Sequence, residues 1–335
     1  MRPPAPHSLR IGVLGAGAMG SVFGAALHAA GHQVTLLDRR GDHVAAINRD
    51  GLTVEGLSGG ARHAIPATTE PGALRGIELA LVLVESAATA EAAAIAAAVL
   101  APAGLALTLQ NGIGNAEALA AAIGSARTAL GCTYVSAAWL APGRVLHSNT
   151  GETVFGLLTG AAEPRLDALA RDLAASGLPS TTATDAPGHV WLKFALNCAI
   201  NPVCALTGLR PGEVARQAEA RALMESVLDE ILAVAAAKGF VLPCADARAE
   251  ILGHAWVRYN RPSMLQHVEA GRMPEIAALN GALVEEAARL GVPVPVNRAV
   301  AQAVLALAER VRRRLVAPLP DEAALEAAAA TEPLR

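Results

Sequence analysis

The sequence predicts an α/β chain in which an N-terminal domain built on a parallel β-sheet is followed by an all-helical domain. Three observations predict it. Short apolar runs alternate with helix-like stretches from Leu9 to Pro179, a glycine-rich turn follows the first of those runs, and from Asp185 onward the hydrophobic period is helical. The change of character puts the boundary at Thr184, giving domains over 1–184 and 185–335. With 335 residues, 53% hydrophobic and only 17% charged, the chain can bury sizeable cores, and intrinsic disorder is excluded.

The first strand, Arg10–Leu14, runs directly into Gly15-Ala16-Gly17-Ala18-Met19-Gly20, and a helix-like run then ends at Gly31. Gly15 permits the tight turn, Gly17 lets the backbone approach a pyrophosphate, and Gly20 allows close packing of helix on strand. The amides at the helix start, from Ala16 to Met19, supply donors and a favourable dipole, so the turn is of the dinucleotide-binding, Rossmann type. The second strand, Gln33–Leu37, ends in Asp38-Arg39-Arg40. Asp38 lies where an acidic residue grips the ribose hydroxyls of NAD, whereas Arg39 or Arg40 could pair with the 2′-phosphate of NADP. These residues leave both cofactors open. Further strands are expected at Leu79–Val84, Leu105–Leu109 and Arg127–Tyr134. Gln110-Asn111-Gly112 follows the middle one, at the carboxyl edge where such sheets bind ligands, so Asn111 is either a plain turn residue or a holder of a nicotinamide ribose or substrate oxygen.

Beyond the boundary, Trp191–Pro202 carries Lys193, Asn197 and Asn201 four residues apart, one polar stripe on a helix that is apolar almost all round. Such a stripe is expected to face a buried polar cavity. Of the 27 basic residues 25 are Arg, and only Lys193 and Lys238 are Lys. Arginine does not release its proton at usable pH, whereas a lysine partly removed from water does so more readily, which makes Lys193 the candidate proton donor. Further helices are expected at Glu213–Lys238, closed by Gly239, at Glu275–Leu290, closed by Gly291, and near Asn297–Arg314, before an Ala-rich tail at Asp321–Ala330. Asn260 leads to Ser263, a hydroxyl at a helix start, and Glu275 is a carboxylate at the next; both can serve as caps without any ligand.

The net charge of −3 and the lack of a basic block argue against nucleic acid or an anionic membrane surface as partner, and favour a small molecule. The long uncharged stretch Ala92–Gln110 is divided by Pro102 and Gly104 and reads as soluble core; the glycine-studded start reads against a signal peptide, so the expected compartment is the cytoplasm. Cys132, Cys198, Cys204 and Cys244 form no CxxC pair and read as buried thiols in a reducing compartment. The nine histidines show no metal-ligand spacing, so no metal is expected.

Taken together, the glycine turn, Gln110-Asn111-Gly112, the Trp191–Pro202 helix, the stretch Pro262–Arg272 and the segment Pro274–Gly281 resemble the ketopantoate reductase family (2-dehydropantoate 2-reductases) from about Arg10 to Arg310. The resemblance implies a Rossmann-type domain followed by a helical one, and NADPH-dependent reduction of ketopantoate to pantoate in pantothenate biosynthesis. It implies Lys193 as general acid, Asn197, Asn201, Asn260 and Ser263 as holders of the 2-oxo acid, and Asn111 as a contact to both cofactor and substrate. It further implies Glu275 beside the nicotinamide and the lysine, Arg39 at the 2′-phosphate and Ala137 among the cofactor contacts; a homodimer is common in such two-domain dehydrogenases. The chain departs from the family at Glu85, where a Lys is usual near the cofactor, and at His267 and Ala277, where acids are usual. Asp38 and Glu85 keep an NADH-dependent reductase of another branched or aromatic 2-oxo acid open, and Glu85 also a non-catalytic dinucleotide sensor.

Overall fold

The computed structural model describes residues 8–316. In chain order the elements are β1 (Arg10–Leu14), α1 (Ala18–Ala29), β2 (Gln33–Leu37), α2 (Gly41–Asp50), β3 (Leu52–Gly56), β4 (Ala61–His63), β5 (Ala67–Thr68), β6 (Ile77–Val82), α3 (Thr89–Val99), β7 (Leu100–Thr108), α4 (Asn115–Ile123), β8 (Thr128–Thr133) and β9 (Ser136–Ala141). They continue with β10 (Arg144–Asn149), β11 (Thr153–Leu157), α5 (Pro164–Ala175), β12 (Ser180–Thr182), α6 (Ala186–Thr207), α7 (Pro211–Val214), α8 (Ala218–Ala237), α9 (Ala247–Trp256), α10 (Ser263–Glu269), a π turn (Ala277–Gly281), α11 (Ala282–Leu290) and α12 (Pro295–Val316). The chain divides into two compact units: the first runs through Phe194 and takes in Gly239–Ala245, and the second comprises Ala195–Lys238 and the chain from Asp246 on.

In the first unit an eight-stranded sheet has the order β12-β11-β8-β7-β6-β1-β2-β5, parallel throughout except where β11 meets β8. The strands are apolar on both faces, as a sheet covered by helices requires: Ile11, Val13, Leu14, Leu79, Ala80, Leu81 and Val82 are all buried. From β1 the chain moves to β2 on one side and later crosses to β6 on the other. That reversal leaves a crevice at the carboxyl end of β1, where open α/β sheets bind ligands.

A second sheet of four short strands, β4-β3-β10-β9, belongs to the same unit and was not expected. Its strands lack a sustained apolar alternation; Ser136–Ala141 is largely exposed. Helix α1 packs against β2 and also against β3, β9 and β10. Its small residues Gly20, Ser21, Gly24, Ala25 and Ala26, all buried, allow that close double contact.

The second unit is helical. α8 contacts α7, α11 and α12, and α10 contacts α12. Two expected helices are broken. The stretch Glu213–Lys238 divides into α7 and α8, because Gln217 caps the second helix by accepting from the Ala220 N–H at 2.6 Å. The stretch Glu275–Leu290 is not regular at its start: Glu275 stands in a turn, the π turn follows, and the α-helix begins at Ala282. Ser263 is the first residue of α10, and the cap position itself is held by Pro262, which offers no side-chain cap hydrogen bond. The Ala-rich segment Asp321–Ala330 lies outside the described residues.

α6 is the one helix among the described residues long and apolar enough to cross a membrane, and 67% of its most apolar window is buried inside the protein, as in a core helix. Cys132, Cys198 and Cys204 are free, buried thiols; burial pushes the Cys204 thiol up to about 12, and Cys132 and Cys198 are raised by the same cause.

Candidate active site

The glycine turn leaves β1 with Gly15 at φ +95°, a conformation only glycine adopts readily, and the Gly15 and Ala16 N–H groups donate to the Leu37 carbonyl at 3.0 and 3.1 Å. A Cβ on Gly20 would stand 2.0 Å from the Gly15 carbonyl oxygen, so α1 approaches the turn as closely as backbone allows. A Cβ on Gly17 would meet nothing within 4 Å. Space over Gly17, with α1 beginning at Ala18 and Met19 and no side chain capping it, fits the diphosphate of a dinucleotide. From below, the Ala16 carbonyl accepts from Ser21 Oγ at 3.0 Å and His43 Nε2 at 2.9 Å. His43 Nδ1 accepts from the Gly143 N–H at 2.9 Å, so Nε2 carries the proton and the ring is neutral. Burial, the main cause, holds the His43 pKa below the ordinary imidazole value.

At the end of β2, Asp38 is 9% exposed and both its oxygens are taken by Arg40: Nε and Nη2 each donate at 2.8 Å, and the Arg40 backbone N–H donates at 3.0 Å. Burial raises the Asp38 carboxyl, but those hydrogen bonds and the Arg40 charge outweigh it and leave the pKa below the ordinary carboxylate value. The Arg40 guanidinium in turn stacks 4.0 Å from the centre of the Trp139 ring, which itself lies 4.5 Å from His43. Arg39 points outward, 81% exposed, with Glu91 at 3.5 Å. Glu85 is exposed, and Ala137 is half-buried in β9.

Lys193 is held at the carboxyl edge of the main sheet. Its Nζ donates to Asn111 Oδ1 at 2.9 Å and to the Thr133 carbonyl at 2.6 Å, and lies 5.7 Å from the centre of the Tyr134 ring. Asn111 is itself pinned: its carbonyl accepts from Ser86 Oγ at 3.1 Å and Asn115 Nδ2 at 3.0 Å. Behind it, Thr89 Oγ1 donates to Asn115 Oδ1, and Gln110 Nε2 donates to Thr89 Oγ1, both at 2.8 Å, and to the Val84 carbonyl at 2.9 Å. A buried network that is satisfied in this way fixes its members in one geometry. A cavity of about 140 Å³ adjoins the turn, with Gly112, Ile113, Trp191 and Phe240 among its walls.

Within the first unit the structure therefore brings Lys193 and Asn111 into contact. Asn197 and Asn201 follow Lys193 on α6 at helical spacing, both half-buried, and belong to the second unit. So do Asn260, exposed in a loop, Ser263, exposed at the start of α10, and Glu275, half-buried in the turn before the π turn. Sequence reasoning missed the Thr133 carbonyl, which no side chain advertises, and the pairing of Arg40 with Asp38 rather than with solvent. It also missed Thr89 and Asn115, the first residues of two Ala-rich helices, and His43 on the polar helix α2, all three buried.

Residues 11–160 match the family model "Ketopantoate reductase PanE/ApbA", and residues 185–308 match its C-terminal companion. The curated 2-dehydropantoate 2-reductase of Halobacterium salinarum is 32% identical over 297 residues, covering 88% of this chain and 98% of that protein. The crystal structure of a PanE/ApbA family ketopantoate reductase from Ralstonia eutropha JMP134 superposes with a TM-score of 0.80 at 35% identity, covering 90% of this chain and 99% of that one. A D-mandelate dehydrogenase structure with NADH and anilino(oxo)acetate also reaches a TM-score of 0.80, at 24% identity over 90% of this chain and 99% of its own, a likeness of fold.

Proposed function

This chain belongs to the ketopantoate reductase family, and we propose that it is a cytoplasmic 2-dehydropantoate 2-reductase that converts ketopantoate to pantoate with NADPH, Lys193 supplying the proton. The observation that carries the reading is the Lys193 ammonium fixed between Asn111 Oδ1 and the Thr133 carbonyl, in the unit that holds the glycine turn. When bound, the dihydronicotinamide supplies a hydride to C2 of the oxo acid. Lys193 gives its proton to the C2 oxygen, becomes a neutral amine and regains a proton from solvent. Asn111 fixes the direction of that donation, because its oxygen can only accept and its backbone is itself held by Ser86 and Asn115.

By family resemblance Asn197, Asn201, Asn260 and Ser263 hold the 2-oxo acid and Glu275 serves beside Lys193. The domain assignment is likewise proposed, with 1–184 for the dinucleotide and 185–335 for the acid. For the cofactor, Gly15 to Gly20 take the diphosphate and Arg39 the 2′-phosphate. Asp38 does not oppose that phosphate, since Arg40 already neutralises it. The exposed pair Arg39–Glu91 holds Arg39 by no more than about 1 kcal/mol, leaving it available.

A second reading, an NADH-dependent reductase of a bulkier 2-oxo acid, is favoured by two acidic residues, Asp38 after β2 and Glu85 after β6. Initial rates of NADPH and NADH oxidation with ketopantoate and a panel of bulkier 2-oxo acids separate the two. Fast NADPH turnover on ketopantoate supports the first; faster NADH turnover on a bulkier acid replaces it with the second. Lys193→Ala should lower kcat by roughly 10²–10⁴-fold with little change in nucleotide affinity. Retained turnover in that variant would remove Lys193 from the mechanism.

A further inference from the structure

α6 contains a proline in its interior, Pro202. In an α-helix the N–H of residue i+4 donates to the carbonyl of residue i, and proline has no N–H, so the Cys198 carbonyl lacks its regular donor. The vacancy falls in the turn bounded by Asn197 and Asn201. The structure fills it from another element: Asn280 Nδ2 donates to the Cys198 carbonyl at 3.1 Å. Asn280 is 0% exposed and belongs to the π turn, in which the Gly281 N–H reaches back five residues to the Ile276 carbonyl at 3.0 Å.

Asn280 is aimed by its surroundings. Its Nδ2 also donates to Asn297 Oδ1 at 2.9 Å, and Asn297 Nδ2 donates to the Val227 carbonyl at 3.0 Å and to Glu230 Oε2 at 2.7 Å. Carbonyls and carboxylates only accept, so both amides are fixed in orientation. Asn280 Oδ1, although buried, has no hydrogen-bond partner among the described residues. The amide is therefore set for its donors, and one of the two acceptors it serves is the carbonyl that Pro202 leaves short.

We infer that Asn280 is a positioning residue for the reduction: it replaces the helix hydrogen bond that Pro202 removes, and so holds the turn of α6 bearing Asn197 and Asn201 in the geometry that receives the 2-oxo acid. The inference rests on the proposed role of those two asparagines. It explains why a proline is tolerated inside a core helix and why an uncharged amide is buried at the π turn.

A double-mutant cycle tests it, because Pro202→Ala restores the missing backbone N–H. Asn280→Leu should raise the KM for ketopantoate about tenfold, with kcat and the Kd for NADPH changing less than about threefold, and should lower the Tm. Pro202→Ala alone should keep the wild-type KM. The double variant Pro202→Ala/Asn280→Leu should recover most of both losses, because the helix now closes its own bond. An unchanged KM in Asn280→Leu with a lowered Tm would reduce Asn280 to a structural residue, and equal damage with and without Pro202→Ala would overturn the inference outright. If Asn280→Leu does not fold, a folded double variant supports the inference and an unfolded one overturns it. A wild-type chain that reduces none of the 2-oxo acids fails the proposed function before any variant is made and takes this inference with it; loss of the cycle in an active wild type fails this inference alone.

Discussion

Asp38 and Arg40 stand two residues apart, and their pairing decides what the end of β2 can recognise. A bidentate, charge-assisted contact to a buried carboxylate is worth about 1.5–3 kcal/mol, against about 0–1 kcal/mol for the exposed Arg39–Glu91 pair. Arg40 thus stays on Asp38, while Arg39 is held only weakly. Arg40→Ala should expose an unneutralised carboxylate to the 2′-phosphate, shifting the ratio of NADPH to NADH dissociation constants by about tenfold or more toward NADH. Fluorescence titrations with both nucleotides measure it; an equal change in the two affinities would show that Asp38 is not felt by the phosphate. At this scale the sequence was readable where a residue type is rare or a spacing is fixed, as for Lys193 among 25 arginines and for Asn111 after its strand. It was not readable where a contact rests on a backbone atom, as at Thr133, or on which of two adjacent arginines turns inward.

Two glycines of one turn are required for different reasons, and substitution separates them. A Cβ on Gly20 collides with the Gly15 carbonyl oxygen, a backbone atom that cannot swing aside, so α1 must withdraw from β1. Gly20→Ala should cost roughly 1–3 kcal/mol of stability, seen as a lowered Tm, and weaken NADPH as the donors at the helix start move away. Gly17→Ala meets open space in the protein and should leave stability within about 0.5 kcal/mol, yet should still weaken NADPH, because the methyl occupies the volume the diphosphate needs. Comparable Tm losses in both variants would contradict this division. The turn was legible because a ligand-binding βαβ unit demands glycine at fixed places between an apolar strand and a helix. β1 and β2 were legible for the same reason as most buried parallel strands: continuous apolar runs bounded by turn residues. The four-stranded sheet was not, since β4 and β9 are short and exposed and leave no periodic trace. Nor was the π turn, whose extra residue per turn no hydrophobic period announces.

Among the described residues, burial lowers the pKa of six histidines. His28, His32, His43, His63 and His147 all have pKa values lowered first by burial, and His254 is brought down to about 4, by burial and then by the Arg258 charge. A histidine whose folded pKa lies below its unfolded value of about 6.5 takes up its proton more readily in the unfolded chain. Its contribution is therefore fully present above about pH 6.5 and declines as the pH falls toward the folded value. The depressed carboxyls of Asp38, Glu163 and Glu286 act in the same direction but below the ordinary carboxylate range, so the histidines set the first stage of acid instability. By pH 5 His254, with its pKa brought down to about 4, already works against the folded state, because the unfolded chain takes up the proton first. His43 adds a functional consequence: a protonated Nδ1 cannot accept from the Gly143 N–H, so the ring loses the anchor that aims its Nε2–H at the Ala16 carbonyl. Thermal melts between pH 7.5 and 5 should show a falling Tm that steepens below 6.5, with NADPH affinity declining over the same interval. His254→Gln should remove part of the Tm slope without touching the change in nucleotide affinity, whereas His43→Gln should flatten that change. A Tm independent of pH over this range would mean that these rings are as accessible to protons in the folded chain as in the unfolded one.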